Sequence, residues 1–198
     1  MLARAVRRGL QTPFMIVDLP FGSYEESPIQ ALRTAVRFLK EGGCHAVKLE
    51  GGRRSAPAVR AIVDAGIPVM AHVGFTPQSE HKLSGYRVQG RGDAAQDVVD
   101  DAHAVAEAGA FAVVLEMVPG DVAKRITNDL VIPTVGIGAG PECDGQVLVW
   151  QDMAGLRQGP APRFVKRYAE LADTLTAAAR SFAEEVRDGA FPALEHTF

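Results

Sequence analysis

The sequence predicts an α/β protein with a parallel sheet, and the first observation is a series of short apolar segments. These segments are rich in Val and Ile and are continuous rather than alternating, as expected for strands buried on both faces. Helical patterns separate most of them, and such alternation favours parallel strands joined by right-handed crossovers. The predicted strands are residues 14–18, 46–50, 67–72, 111–116, 132–138 and 145–150.

The segment after the first predicted strand carries the signals of a helix start. Ser27 is suited to cap the helix, Pro28 to occupy its first position, and Gln30 to complete the capping pattern. Gly42 or Gly43 can end this helix. The stripe predicted to face the core is Ile29, Leu32, Val36 and Leu39.

Three more helices are predicted further along the chain. Asp93 is expected to cap the first of them, and residues 121–130 form the second. The buried side of the helix after Asp93 is predicted to be Val98, Ala102 and Val105. The last is a long amphipathic helix that packs on its own domain, the favoured interpretation, or on another subunit. Its apolar positions are Val165, Tyr168, Ala172, Leu175, Ala179, Phe182 and Val186.

Composition bounds the class of protein. The 198 residues are 47% hydrophobic, which suits one domain over 1–198, and a long C-terminal helix is predicted within it. The net charge of −3 argues against nucleic acid as a partner, and no apolar run approaches the ~20 residues that span a membrane. Two distant cysteines without zinc spacing favour a cytoplasmic protein. The basic start is expected to be an exposed helix rather than a transit peptide.

Ionisable residues stand at the ends of four successive predicted strands. The stretch HAVKLEGG places Lys48 and Glu50 on alternate positions of one strand, and hence on one side of the sheet. Asp18, His72 and Glu116 end the strands around it. Because the carboxyl ends of parallel strands meet at one face, these side chains predict an active site there.

The residue types indicate the chemistry of that site. Two carboxylates, Asp18 and Glu50, without a Cys/His cluster suit Mg²⁺ better than Zn²⁺. Lys48 offers a positive charge to a substrate carboxylate or phosphate. Glu116 follows the apolar run FAVVL, a setting that suits a general acid or base. His72 is expected to donate a hydrogen bond to an anionic substrate, although a purely structural histidine fits almost as well.

The glycine-rich stretch GIGAG, residues 136–140, does not predict a dinucleotide site. Its spacing is not GxGxxG, and no cofactor-binding helix pattern follows it directly. A tight turn or a close approach of the backbone is the better interpretation.

Long motifs over the whole chain resemble one known family. VDLPFGSY, AVKLEGG, IPVMAHVGFTPQS, GAFAVVLEMVP and IPTVGIGAGPECDGQVLVW are similar to ketopantoate hydroxymethyltransferase. The resemblance implies a (β/α)₈ TIM-type barrel of the phosphoenolpyruvate/pyruvate superfamily. It also implies a cytoplasmic homo-oligomer that transfers a hydroxymethyl group from 5,10-methylenetetrahydrofolate to 3-methyl-2-oxobutanoate, a step towards pantothenate.

The resemblance implies a role for each residue that matches the family's motifs. Asp18 is then a Mg²⁺ ligand and a substrate contact, and Glu50 belongs to the metal site. Lys48 binds the substrate, and Glu116 is the catalytic base. These roles agree with the chemistry expected from the residue types alone.

The sequence departs from the family in the number of strands. Six are predicted, whereas a full barrel has eight in about 250 residues. The first two βα units are expected to be absent, and with them one aspartate ligand and its neighbouring serine. A non-catalytic assembly or regulatory subunit is therefore the alternative to an active transferase. A lyase or mutase acting on another 2-oxo acid is disfavoured by the closeness of the motifs.

Overall fold

A parallel six-stranded sheet forms the centre of the computed structural model, which describes residues 2–198. The strands lie side by side in chain order, and every neighbouring pair is parallel. This confirms the predicted sheet. The strands are β1 (Ile16–Asp18), β2 (Ala46–Glu50), β3 (Val69–Gly74), β4 (Ala112–Glu116), β5 (Thr134–Ile137) and β6 (Gly145–Gln146).

Helices precede, connect or follow these strands. They are α1 (Leu2–Gly9), α2 (Pro28–Arg37), α3 (Ala56–Asp64), α4 (Ala95–Glu107), α5 (Gly120–Asp129), α6 (Trp150–Met153) and α7 (Leu171–Arg187). Within residues 2–198, no helix has the length and apolar character needed to cross a bilayer. The chain divides into two compact units, Met1–Val147 and Leu148–Phe198. The single domain expected from the sequence stays a prediction.

The core of the first unit lies between one face of the sheet and helices α3, α4 and α5. In β2, β3 and β4 the odd-numbered residues, such as Leu49 and Leu115, are buried and belong to one apolar cluster with Ile62 and Ile126. Because side chains alternate along a strand, the even-numbered residues face the opposite side of the sheet. Lys48 is even-numbered, so its side chain points away from the helices.

The start of α2 is as predicted, with one difference. The Gln30 N–H donates to Ser27 Oγ at 3.1 Å, and Pro28 is the first helical residue. The Gln30 side chain accepts from the N–H of Glu26 rather than from that of the cap residue. The helix ends through a π-helical turn at Gly43, whose φ of +70° suits glycine.

The predicted apolar stripe of α2 is wrong for two of its residues. Ile29 is 62% exposed and Val36 38% exposed, whereas Ala31 and Ala35 are fully buried. The small alanine side chains let α2 pack closely against α3, a contact that larger residues on that face would prevent. Helix α3 itself is not among the helices predicted from the sequence.

Other boundaries also differ from the sequence prediction. Asp93 lies inside a 3₁₀ turn, Gly92–Ala94, and does not cap α4, although the predicted stripe of that helix is buried. Strand β6 ends at Gln146 instead of residue 150, because the chain turns into α6 there. The glycines of GIGAG make a turn, with φ of +66° at Gly138 and +83° at Gly140, as expected.

The C-terminal helix is shorter than predicted. Val165 and Tyr168 precede α7, which begins at Leu171, and none of the residues of α7 is buried. Its apolar face therefore remains open, with Phe182 56% exposed. Which surface covers this face stays a prediction.

Candidate active site

Strand register brings the predicted site residues to one end and one face of the sheet. Asp18 pairs with Lys48 across β1 and β2, and Glu50 pairs with His72 across β2 and β3. Glu116 pairs with Gly74, two residues beyond His72. Steps of two residues preserve the face of a strand, so all five side chains share one side. We call these five residues the strand-tip cluster.

Close polar contacts run through the strand-tip cluster from β1 to β4. Lys48 Nζ lies 2.7 Å from Asp18 Oδ2 and 3.3 Å from His72 Nδ1. On the other side of the ring, His72 Nε2 lies 3.2 Å from Glu116 Oε2. Glu50 Oε1 is 3.8 Å from His72 Nδ1, which is beyond hydrogen-bonding distance. The histidine therefore links the lysine end of the cluster to the carboxylate of Glu116.

The contacts of His72 indicate where its ring carries a proton. A lysine ammonium has only donors, so Nδ1 accepts from Lys48 and the proton of the neutral ring is assigned to Nε2. Nε2 is close to Glu116 but is not aligned for a hydrogen bond. Among the buried side-chain nitrogen and oxygen atoms of residues 2–198, it is the one without a hydrogen-bond partner. Within residues 2–198, this N–H therefore has no hydrogen-bond acceptor.

The carboxyl group of Glu50 is almost completely buried, with 2% of the residue exposed. Burial raises the pKa of this carboxyl because the charged form loses its hydration. The ring of His72, the N–H of Gln78 and the ammonium of Lys48 all oppose that rise. The pKa of Glu50 is raised on balance, so burial outweighs these neighbours.

Two glycines end the strand that carries Lys48 and Glu50, and both are required by space. A Cβ on Gly51, whose φ is +114°, would lie 2.2 Å from Ser55 Oγ. A Cβ on Gly52 would lie 2.1 Å from the side chain of Asp101. The Ser55 hydroxyl donates to the carbonyl of Glu50 at 2.8 Å, so this tight turn fixes the strand end.

Glu116 is fixed by a sharp turn of the backbone. The next residue, Met117, has a left-handed φ of +48°, which is uncommon outside glycine. Its N–H donates to the carbonyl of Ile137, and its carbonyl accepts from the N–H of Gln89, both at 2.9 Å. The strained residue is thus held from both sides, and Glu116 stays at the strand tip with 8% exposure.

Sequence reasoning missed two residues that contact the site, Tyr24 and Gln78. The N–H of Gln78 donates to Glu50 Oε2 at 3.0 Å, and the Tyr24 hydroxyl donates to Gln78 Oε1 at 2.8 Å. Burial raises the pKa of Tyr24 above its usual range. Both residues lie in the family motifs VDLPFGSY and IPVMAHVGFTPQS, which was the available signal, but neither stands at a strand end.

The donor set of the site fits Mg²⁺. Within residues 2–198, no three His, Cys, Asp or Glu side chains are grouped as a ready-made metal site. However, each carboxylate uses only one oxygen for these contacts: Asp18 contacts Lys48 through Oδ2, and Glu50 accepts from Gln78 through Oε2. The other oxygens, Asp18 Oδ1 and Glu50 Oε1, have no hydrogen bond within residues 2–198. Mg²⁺ commonly uses one or two carboxylates and completes its shell with water and substrate oxygens.

Comparison with known proteins identifies the family. The family model described as ketopantoate hydroxymethyltransferase matches residues 1–194. A 3-methyl-2-oxobutanoate hydroxymethyltransferase from Saccharopolyspora erythraea is 68% identical over 197 residues, 100% of this chain and 67% of the relative. Another of that name, from Leifsonia xyli subsp. xyli, is 66% identical over 197 residues, 100% and 71% respectively. The chain belongs to the ketopantoate hydroxymethyltransferase family.

Solved structures support the fold. Two structures of phosphonopyruvate hydrolase, one in complex with oxalate and Mg²⁺, each match with a TM-score of 0.55 at 17% identity. Each match covers 98% of this chain, and 69% or 70% of the solved chain. At this identity the matches show the fold alone: the predicted α/β fold of the TIM-barrel type is confirmed, with six parallel strands in residues 2–198.

Proposed function

We propose that this chain transfers a hydroxymethyl group from 5,10-methylenetetrahydrofolate to 3-methyl-2-oxobutanoate in pantothenate biosynthesis. The observation that carries the proposal is the strand-tip cluster, where a buried carboxylate, a histidine N–H without a partner and a lysine meet at one face. Carbon–carbon bond formation at a 2-oxo acid needs these three groups: a base, a donor to the developing oxyanion and a charge for the carboxylate.

Each residue of the cluster has a role in this reaction. Lys48 binds the carboxylate of the oxo acid, and His72 Nε2–H donates to the oxygen on which negative charge develops. Glu116 takes the proton from C3 of the substrate. Water converts the folate methylene group to formaldehyde, which breaks both C–N bonds and leaves one proton on each nitrogen. The carbanion at C3 then adds to the formaldehyde carbon, and the alkoxide that forms takes the proton removed by Glu116.

Asp18 and Glu50 would hold Mg²⁺ through the oxygens that lack hydrogen bonds, Oδ1 and Oε1. When bound, Mg²⁺ supplies a Lewis acid that polarises the keto group and lowers the barrier to enolisation. With two protein carboxylates we expect weak binding that depends on waters and on the bound substrate. Calorimetry tests this: Asp18→Asn should bind Mg²⁺ more weakly than the parent chain, and equal binding would remove Asp18 from the metal site.

Hydrogen exchange tests the catalytic proposal. In D₂O, with 3-methyl-2-oxobutanoate and Mg²⁺ but without folate, the C3 proton should exchange with solvent, and proton NMR follows its loss. If the rate of C3 proton exchange depends on the presence of this protein, the result supports a catalytic role. A chain that binds the oxo acid without exchanging its proton would instead favour the non-catalytic subunit.

A further inference from the structure

Glu50 is hydrogen-bonded by two residues that come from different loops. Tyr24 belongs to the loop after β1, and Gln78 belongs to the loop after β3. Besides the two hydrogen bonds described above, the N–H of Glu50 reaches Tyr24 Oη at 3.4 Å. The two loops therefore meet over the tip of β2, the strand between them.

Gln78 also reaches the strand that carries Asp18. Its Nε2 donates to the carbonyl of Leu19 at 2.9 Å, and Leu19 directly follows Asp18. One residue thus bonds to the carboxylate of Glu50 through its backbone and to the end of β1 through its side chain. The Tyr24 hydroxyl fixes the other end of the same amide. Because Tyr24 is only 4% exposed, water competes little for these bonds.

We infer that Gln78 and Tyr24 are positioning residues that hold the carboxylates of Asp18 and Glu50 at a fixed separation for a divalent cation. The inference rests on the proposed function, because it concerns the same metal site. Mg²⁺ demands near-ideal octahedral geometry, so small displacements of its ligands weaken binding. Partners that orient metal ligands typically account for about 10–100-fold in affinity or activity.

A double-mutant cycle on Mg²⁺ affinity tests the inference by calorimetry. Tyr24→Phe removes the hydroxyl and keeps the ring, and Gln78→Met removes the amide and keeps most of the volume. We expect each variant to bind Mg²⁺ roughly tenfold or more weakly. The loss in the double variant should be smaller than the sum of the two single losses, because both changes break the hydrogen bond between Tyr24 and Gln78.

The controls separate positioning from general destabilisation. Tyr168→Phe makes the same change at a tyrosine that is 70% exposed, and it should bind as the parent does. Saturating Mg²⁺ should restore the maximal exchange rate of Tyr24→Phe, which a merely structural defect would not allow. Should Gln78→Met fold poorly, Gln78→Glu keeps an acceptor for Tyr24 and loses the donor to Leu19.

Two results would overturn the inference: parent-like Mg²⁺ affinity in both single variants, or additive losses in the double variant. Neither result affects the proposed function, which depends on proton exchange by the parent chain. Conversely, loss of exchange in Glu116→Gln supports the proposed function. It does not test the positioning role, which the double-mutant cycle on Mg²⁺ affinity tests. The two proposals therefore fail independently.

Discussion

Two polar clusters at opposite ends of the sheet differ in how completely their hydrogen bonds are made. At the amino end, Thr134 is fully buried, and its N–H and hydroxyl both bond to Asp144, at 2.8 and 3.1 Å. The hydroxyl also lies 2.8 Å from that of Thr127. We call these three residues the Thr134 cluster. At the carboxyl end, the strand-tip cluster leaves His72 Nε2 without a partner.

This difference separates a cluster whose hydrogen bonds are complete from one with an unused donor. A buried polar group without a hydrogen bond costs free energy, so it persists where a ligand completes it or where the fold forces it. The Thr134 cluster is complete without any other molecule. The strand-tip cluster combines an unused donor with two unused carboxylate oxygens, and it therefore has capacity for a substrate and a cation.

The largest effect is expected at Glu116. Glu116→Gln keeps the size of the side chain but removes the base, so exchange of the C3 proton should fall about 10²–10⁴-fold. Proton NMR in D₂O measures the rate, and thermal unfolding should show little change. If the variant exchanges at the parent rate, the base lies elsewhere in the protein.

The next effect is expected at Lys48, whose side chain is 19% exposed and contacts Asp18 and His72. Lys48→Ala removes the charge that we propose to meet the substrate carboxylate. The KM of the oxo acid in the exchange reaction should therefore rise roughly 10–100-fold, as expected for the loss of a charged hydrogen bond. Circular dichroism should show the parent fold. An unfolded variant would instead mean that Lys48 is structural.

A smaller effect is expected in the Thr134 cluster, and it should appear in stability alone. Asp144→Ala leaves the buried N–H of Thr134 without an acceptor, which should lower the free energy of unfolding by about 1–3 kcal/mol. Urea unfolding measures this loss. The exchange rate of the folded variant should equal that of the parent, and a clear reduction would break the distinction between the two clusters.

The sequence was sufficient to predict the strands and the strand-tip cluster because both depend on local patterns. Continuous apolar runs identified the strands, and the side-chain period of two placed Lys48 and Glu50 on one face. The buried face of α2 was mispredicted because hydrophobicity favours Ile29 over Ala31, whereas close packing selects the smaller residue. Gln78 was missed because its contacts come from strands distant in the chain.

The smallest effect is expected at Glu50, and its sign follows from the raised pKa. In the folded chain, burial raises the pKa of the Glu50 carboxyl above its ordinary value of 4.5. At pH values between the ordinary and the raised pKa, the folded chain therefore binds more protons than the unfolded chain. The free energy of unfolding must therefore fall as pH rises through this window. Glu50→Gln cannot titrate there, so without metal it should be slightly more stable than the parent at neutral pH.

Thermal unfolding at several pH values measures the effect of Glu50→Gln. We expect a rise in Tm below the roughly 2–4 °C that 1 kcal/mol produces at this chain length, and no advantage below the window, where the parent carboxyl is protonated in both states. Added Mg²⁺ should raise the Tm of the parent more than that of the variant, because a bound cation stabilises the charged carboxylate. A variant less stable than the metal-free parent at neutral pH would show that His72, Gln78 and Lys48 more than offset the cost of burial. Glu50 would then resemble the complete Thr134 cluster rather than a site with capacity for a cation.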